Sequence, residues 1–233
     1  MMMLATLARH QWTSADFECM SAAGMFEKIE LLCGDVVITG AAVRPYCWTL
    51  GDYEQLIALG LLEGKHVELI RGEILTMASM GEPHAVAIMQ LNYALLPCFN
   101  PRTGFHLRIQ MPLALPVLTS EPEPDIAIVA LDAPTNEAGR PTSASLIIEV
   151  AESSLGYDRE RKGPLYAAAG IQEYWLVNLP ERCLEVYRQC IPDIASCSGW
   201  RYQEGQRLQE GDQVAPLVAP AVVIAVDALM PRR

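Results

Sequence analysis

The feature that most restricts the fold of this chain is a succession of short β-rich segments, with one helical stretch set between the last of them. Phe105 to Leu115, Ile126 to Leu131 and Leu146 to Val150 are rich in Val, Ile, Leu and Phe and are separated by Pro- and Gly-containing loops. That composition suits buried strands. A helix is expected between Tyr157 and Ala169, stopping at Gly170, before two more strands at Glu173 to Asn178 and Cys183 to Arg188. A helix joining strands of one sheet implies a crossover, here between Glu149 and Tyr174, and therefore an α/β (α+β) domain with a mixed central sheet flanked by helices. Upstream, Val86, Ile88, Met89, Leu91, Leu95 and Leu96 give the segment from Pro83 to Phe99 the pattern of a largely buried helix, ended by Asn100-Pro101. Beyond Pro192 we expect a peripheral hairpin around Trp200 to Leu208 and a last strand near Ala221 to Val226.

An internal repeat precedes these segments. Trp12-Thr-Ser-Ala-Asp-Phe-Glu returns 36 positions later as Trp48-Thr-Leu-Gly-Asp-Tyr-Glu, and the match extends through Val37 and Leu75. Each copy reads as a capped helix followed by a β-hairpin. In the second, Thr49 caps a helix with Asp52 three residues on, and Val67 to Ile70 and Glu73 to Met77 flank an Arg71-Gly72 turn. Two copies are too few for a solenoid. The expected layout is a duplicated extension over residues 1–44, the main domain over 45–190 and a peripheral β segment over 191–233.

With 51% hydrophobic residues in 233, the chain can bury a substantial core. The apolar stretch from Val214 to Val226 is broken by Pro216 and Pro220 and is shorter than the roughly 20 residues of a membrane-spanning helix. No membrane association is expected, and with no secretory pattern at the N-terminus the expected location is the cytoplasm. Seven cysteines without a C-x-x-C pair read as small buried hydrophobes or incidental thiols rather than a zinc ribbon or a disulfide framework. The formal charge of −11 runs against a nucleic-acid partner, because phosphate binding draws on a Lys/Arg field.

The residues with chemical potential are acids that punctuate apolar segments. Asp125 opens a strand after Pro124, and Glu149 sits inside the run Leu146-Ile-Ile-Glu-Val. An unpaired carboxylate there is costly to bury. A hard cation shared by the two would relieve that cost and could activate water. Spacing alone equally allows Asp125 to cap a turn, Glu149 to face solvent from an edge strand, and Asp158 with Lys162 to form an ordinary helix pair contributing ~0.2–0.5 kcal/mol. His84, after Pro83 at a helix start, is more simply a capping or core histidine than a catalytic one. No phosphate-binding loop, dinucleotide fingerprint, HExxH pair or GxSxG elbow occurs, which removes kinase, dehydrogenase, zinc protease and serine hydrolase readings.

Between Tyr46 and Arg188, Val67-Glu-Leu-Ile-Arg-Gly-Glu, Pro83-His84, Pro124-Asp125, Ile148-Glu-Val, Asp158-x-x-x-Lys162-x-x-x-Tyr166 and Ala169-Gly-Ile-Gln-Glu-Tyr-Trp occur in an order that resembles the Uma-type endonuclease family. That family is similar to the PD-(D/E)XK nucleases, whose fold is a mixed sheet flanked by helices. The resemblance implies a magnesium or manganese ion held by Asp125 and Glu149, with Ala151 supplying at most a backbone carbonyl. It also implies catalytic roles for Asp125, Glu149, Lys162 and Glu68. Lys162 takes the place of a lysine that the superfamily pattern puts where Ala151 stands, and would position water or stabilise developing charge. Gly163-Pro164 suggests a kink at that lysine. Glu173, Tyr174 and Trp175 match the family motif and read mainly as packing, and the first repeat copy, with Glu30 and Asp35, as non-catalytic.

The expected function is divalent-metal-dependent hydrolysis of DNA phosphodiester bonds. The alternatives are a non-catalytic nuclease-fold scaffold or a hydrolase of another phosphoester. A homodimer is expected too, because duplex cleavage in this superfamily commonly pairs two sites and the apolar segment from Val214 to Val226, with the extra N-terminal repeat, exceeds what one core needs.

Overall fold

The computed structural model describes residues 7–26, 29–39 and 44–231. They divide into two compact units, residues 7–79 with 116–122, and residues 80–115 with 123–231.

In the N-terminal unit the order is β1 (Ala8–Arg9), α1 (Ser14–Ala22), β2 (Ile29–Leu32), β3 (Asp35–Ile38), β4 (Arg44–Pro45), α2 (Leu50–Ala58), β5 (Val67–Ile70) and β6 (Glu73–Thr76). Thr13 and Thr49 open their helices with the same reciprocal cap. The Thr13 hydroxyl accepts the Asp16 N–H at 3.1 Å while the Asp16 carboxylate accepts the Thr13 N–H at 3.0 Å, and Thr49 and Asp52 repeat this at 3.1 and 2.9 Å. Strands β2 and β3 pair antiparallel, as do β5 and β6. Both tight turns use two successive residues at positive φ, Cys33-Gly34 and Arg71-Gly72, the twist that suits a two-residue hairpin. Gly72 is required twice over, since a Cβ there would lie 2.3 Å from the Cys47 sulfur.

The two copies share one core. Trp12, Met20 and Val36 from the first are buried with Trp48, Tyr53, Leu56, Val67, Leu69 and Ile74 from the second, and the two indole rings lie 5.3 Å apart. The first copy is therefore integral to this unit, and the chain divides after Ser79, not at the residue 44/45 boundary expected from the sequence.

The C-terminal unit contains α3 (Glu82–Leu95), β7 (Phe105–Ile109), β8 (Ile126–Ala130), β9 (Leu146–Ala151), α4 (Leu155–Tyr157), a π turn (Asp158–Lys162), α5 (Gly163–Ala168), β10 (Glu173–Asn178), β11 (Cys183–Pro192), β12 (Trp200–Gln209), β13 (Gln213–Val214) and β14 (Ile224–Ala225). Six strands form one mixed sheet in the order β12-β11-β10-β9-β8-β7, antiparallel except for the β9–β10 pair that the helical crossover joins. One face, with Ile126, Ile128, Ile148, Val150, Trp175 and Val177, packs on Ala87, Leu91 and Leu95 of α3. Because side chains alternate along a strand, Glu149, Tyr174 and Leu176 point to the opposite face.

The segment after residue 190 is not peripheral. Strand β12 pairs with β11 nearly end to end, and Val214, Ile224, Val226, Leu229 and Met230 are buried in the main core. The apolar residues that suggested a subunit interface are thus largely satisfied within their own chain. No helix among the described residues is long and apolar enough to cross a membrane.

Candidate active site

Asp125 immediately precedes β8, and Glu149 lies within the adjacent β9. Both are nearly inaccessible, at 7% and 3% exposure, so each negative charge needs compensation from the protein. Asp125 receives it from three directions: Oδ1 lies 2.9 Å from His84 Nε2 and accepts a longer bond from the Gln110 amide at 3.4 Å, and Oδ2 accepts the Val150 N–H at 2.8 Å. Glu149 is held mainly through one oxygen. Its Oε1 accepts from the Lys162 ammonium at 3.0 Å and from the Tyr166 hydroxyl at 2.6 Å, while Oε2 faces the Asp125 backbone N–H at 3.4 Å.

Lys162 is delivered by the π turn. The Gly163 N–H bonds to the Asp158 carbonyl, five residues back, so the helix widens for one turn before α5 begins. This widening accommodates Pro164, which lacks an N–H and would clash with the carbonyl four residues earlier in a regular helix. That carbonyl, of Glu160, lies 3.4 Å from the Cys197 thiol instead. The chain therefore passes Pro164 by widening at the π turn, the irregularity that Gly163-Pro164 signalled in the sequence. Lys162 and Tyr166, four residues apart, then project together onto Glu149, and Gly163 is closely packed, since a Cβ would come within 3.3 Å of both the Asp158 oxygen and the Tyr174 ring.

His84 sits in the first turn of α3, three residues after the N-cap Gly81, and its own side chain makes no cap bond there. Burial lowers its pKa, but the hydrogen bond and charge of Asp125, with the charges of Asp158 and Glu152, outweigh that and raise it. The ring is thus biased towards the imidazolium form beside an anionic site. Asp158, buried at the start of the π turn, accepts from the Ser154 hydroxyl at 2.5 Å.

Of the residues singled out from the sequence, Asp125, Glu149 and Lys162 are brought together. Glu68 belongs to the N-terminal unit, where it is buried within β5. The Ala151 carbonyl accepts the Leu179 N–H at 3.0 Å and so faces β10, away from Asp125. Neighbouring backbone groups alternate direction along a strand, and the residue of β9 whose N–H meets Asp125 is Val150; its carbonyl shares that side. A backbone ligand would come from Val150, not Ala151. The sequence reading missed Tyr166 as a partner of Glu149, although Tyr166 stood in the motif, and ranked a capping or core role for His84 above the active-site one.

The donor set consists of hard oxygens: two carboxylates on adjacent strands with the Val150 carbonyl on the same side. Among the described residues no group of three or more His, Cys, Asp and Glu is arranged to hold a metal ion. Two carboxylates with backbone and water oxygens fit magnesium, which keeps several waters, better than zinc, which takes a full set of nitrogen and sulfur ligands.

A family model described as "Uma2: Putative restriction endonuclease" matches residues 50–227. A solved structure described as a putative nuclease belonging to DUF820 from Anabaena variabilis ATCC 29413 is 16% identical, with a TM-score of 0.49 over 70% of this chain and 88% of that one. No curated protein matches the chain.

Proposed function

The chain belongs to the Uma2 family, described as putative restriction endonucleases, and we propose that it is a divalent-metal-dependent endonuclease hydrolysing DNA phosphodiester bonds at Asp125, Glu149 and Lys162. The observation that carries this reading is the clamp on Glu149. Lys162 and Tyr166 both occupy Oε1, which fixes the carboxylate with Oε2 on the Asp125 side. Two carboxylates so oriented supply the oxygen ligands for magnesium or manganese, with the Val150 carbonyl as a third. Bound there, the ion would supply an activated water and offset charge on the phosphorane-like transition state.

The protein's own groups have separable tasks. Val150 and His84 hold the two oxygens of Asp125, Tyr166 fixes the rotamer of Glu149, and the Lys162 ammonium stands where it can stabilise developing negative charge on a phosphate oxygen. A catalytic role for Glu68 is what the family resemblance implies, a homodimer what the superfamily resemblance implies, and a cytoplasmic location what the sequence pattern implies. The net charge of −11 favours the non-catalytic scaffold as the competing reading. A cleavage assay on single- and double-stranded DNA with magnesium or manganese separates the two. Wild type should cut, and both chelation of the ion and Asp125→Ala should abolish cutting; an inactive wild type on both substrates with both ions leaves the scaffold.

A further inference from the structure

On the Glu149 face of the sheet, beyond the π turn and α5, lies a second feature that catalysis at Asp125 and Glu149 does not use. It is a cavity of about 120 Å³ lined by Tyr174, Tyr187 and Tyr202, by Gly163 and Pro164, and by Arg159 and Arg201. The three tyrosines come from β10, β11 and β12, with Tyr174 directly opposite Tyr187 in the ladder. The Tyr174 ring stacks on both others, 5.7 Å from Tyr187 and 6.1 Å from Tyr202, each at 20°, while Tyr187 and Tyr202 lie 6.2 Å apart and tilted by 37°. The hydroxyls are committed to the protein, Tyr174 to the Asp158 carbonyl, Tyr187 to Glu185 and Tyr202 to the Ile171 carbonyl. The cavity therefore meets ring carbon. Burial raises the phenol pKa of all three, so the rings stay neutral.

Tyr174 and Tyr202 form a buried floor, whereas the Arg159 and Arg201 side chains are 37% and 48% exposed at the mouth. Each guanidinium is braced without being used up. Arg159 bonds Glu185 through Nε and Nη2, and Arg201 donates Nη1–H to the Tyr202 carbonyl and forms an ion pair with Asp193 at 3.2 Å, out of five N–H donors apiece. Glu185 turns no lone pair towards the cavity, because its oxygens already accept from Arg159, Asn178 and Tyr187. Aromatic faces with guanidinium cations at their edge are the combination that stacks a base and pairs with its phosphate.

We infer that this cavity is a nucleotide-binding subsite, taking one unpaired base against the tyrosine cluster and its phosphate on Arg159 and Arg201. The choice of a nucleotide over another aromatic anion rests on the nuclease reading. The subsite offers a chain with a formal charge of −11 a local means of holding a strand.

Calorimetric titration in EDTA, where no metal-dependent cleavage occurs, tests this with thymidine 5′-monophosphate, thymidine, inorganic phosphate and hexathymidylate. The monophosphate should bind at least tenfold more tightly than thymidine or phosphate. Arg201→Gln, an exposed change at the rim, should weaken it tenfold or more, Tyr187→Leu should do likewise, and Asp125→Ala should leave it unchanged. Tighter binding of hexathymidylate identifies a strand as the source of the nucleotide, and equal binding a free mononucleotide. No binding, binding matched by phosphate alone, or binding lost in Asp125→Ala but retained in Arg201→Gln overturns the subsite. Failure here with intact DNA cleavage leaves the nuclease reading standing, and binding without any cleavage does the reverse.

Discussion

Replacing Lys162 with methionine removes one half of an ion pair whose side chains are each 4% exposed and whose charged atoms lie 3.0 Å apart. Breaking such a pair by deleting one partner costs about 3–5 kcal/mol, because the remaining charge stays buried. Glu149 keeps the Tyr166 hydroxyl at 2.6 Å, a bond to a charged group of the kind that contributes ~1.5–3 kcal/mol, so the carboxylate is not stripped bare. The loss should therefore fall at the low end, near 3 kcal/mol. Hydrogen exchange of the β9 and β10 amides in EDTA reads it directly, since 1.4 kcal/mol is a factor of ten and the expected acceleration is about a hundredfold. Adding Glu149→Gln to Lys162→Met removes both charges and should return exchange to within about tenfold of wild type, because uncharged replacements of a buried pair are often neutral. Exchange within twofold of wild type in the single variant, or no recovery in the double, would refute the view that these two groups compensate each other. In Lys162→Met alone, magnesium or manganese should slow exchange again, since a cation at the two carboxylates would replace the missing positive charge.

Tyr166→Phe should destabilise the C-terminal unit by about 1–2 kcal/mol in urea unfolding and lower the rate of DNA cleavage more than it raises the substrate KM, because the hydroxyl orients Glu149 without reaching substrate; an unchanged kcat would show that Lys162 suffices. The His84 ring should titrate by NMR with a midpoint above 6.5, falling in Asp125→Asn. Since the folded value is raised, the stabilisation it brings is fully present below pH 6.5 and is lost as the pH rises through the folded midpoint, so a wild-type midpoint at or below 6.5 rules this out. Gly163→Ala should cost about 1–3 kcal/mol, as its methyl would press on the Asp158 carbonyl and the Tyr174 ring; a neutral effect would mean that the π turn relaxes freely.

How far the sequence discloses this arrangement depends on the range of the interaction involved. Helix caps and hairpin turns are written locally, so Thr49-x-x-Asp52 and Arg71-Gly72 announce their roles within four residues. Asp125 and Glu149 are visible because a carboxylate in an apolar strand is anomalous in itself. Tyr166 stands in the motif but its role does not show: inside Leu-Tyr-Ala-Ala it resembles any core aromatic, and only its distance to Glu149 gives the hydroxyl a purpose. His84 finds Asp125 across 41 positions of sequence, a contact that no local rule anticipates. The π turn depends on a carbonyl accepting from five residues on, whereas the local pattern around Pro164 signals only that a regular helix is interrupted. The hairpin around Trp200 and a last strand near Ala221 to Val226 were legible, but not their place in the core, since the residues that Ile224 and Val226 pack against are far away in sequence.

The π turn also bears on how such a site can change over evolutionary time. A regular helix advances about 100° per residue, so one residue removed between Asp158 and Lys162 would swing every later side chain by that angle. Lys162 and Tyr166 would leave Glu149 together, and the face of α5 that meets β11 and β12 would turn with them. Insertions and deletions are usually absorbed in loops, but here a single codon inside a helix holds the lysine and the tyrosine in phase with a carboxylate on a distant strand. Lineages that keep the spacing from Asp158 to Tyr166 should keep the chemistry, and those that alter it by one residue should have lost it or rebuilt it elsewhere.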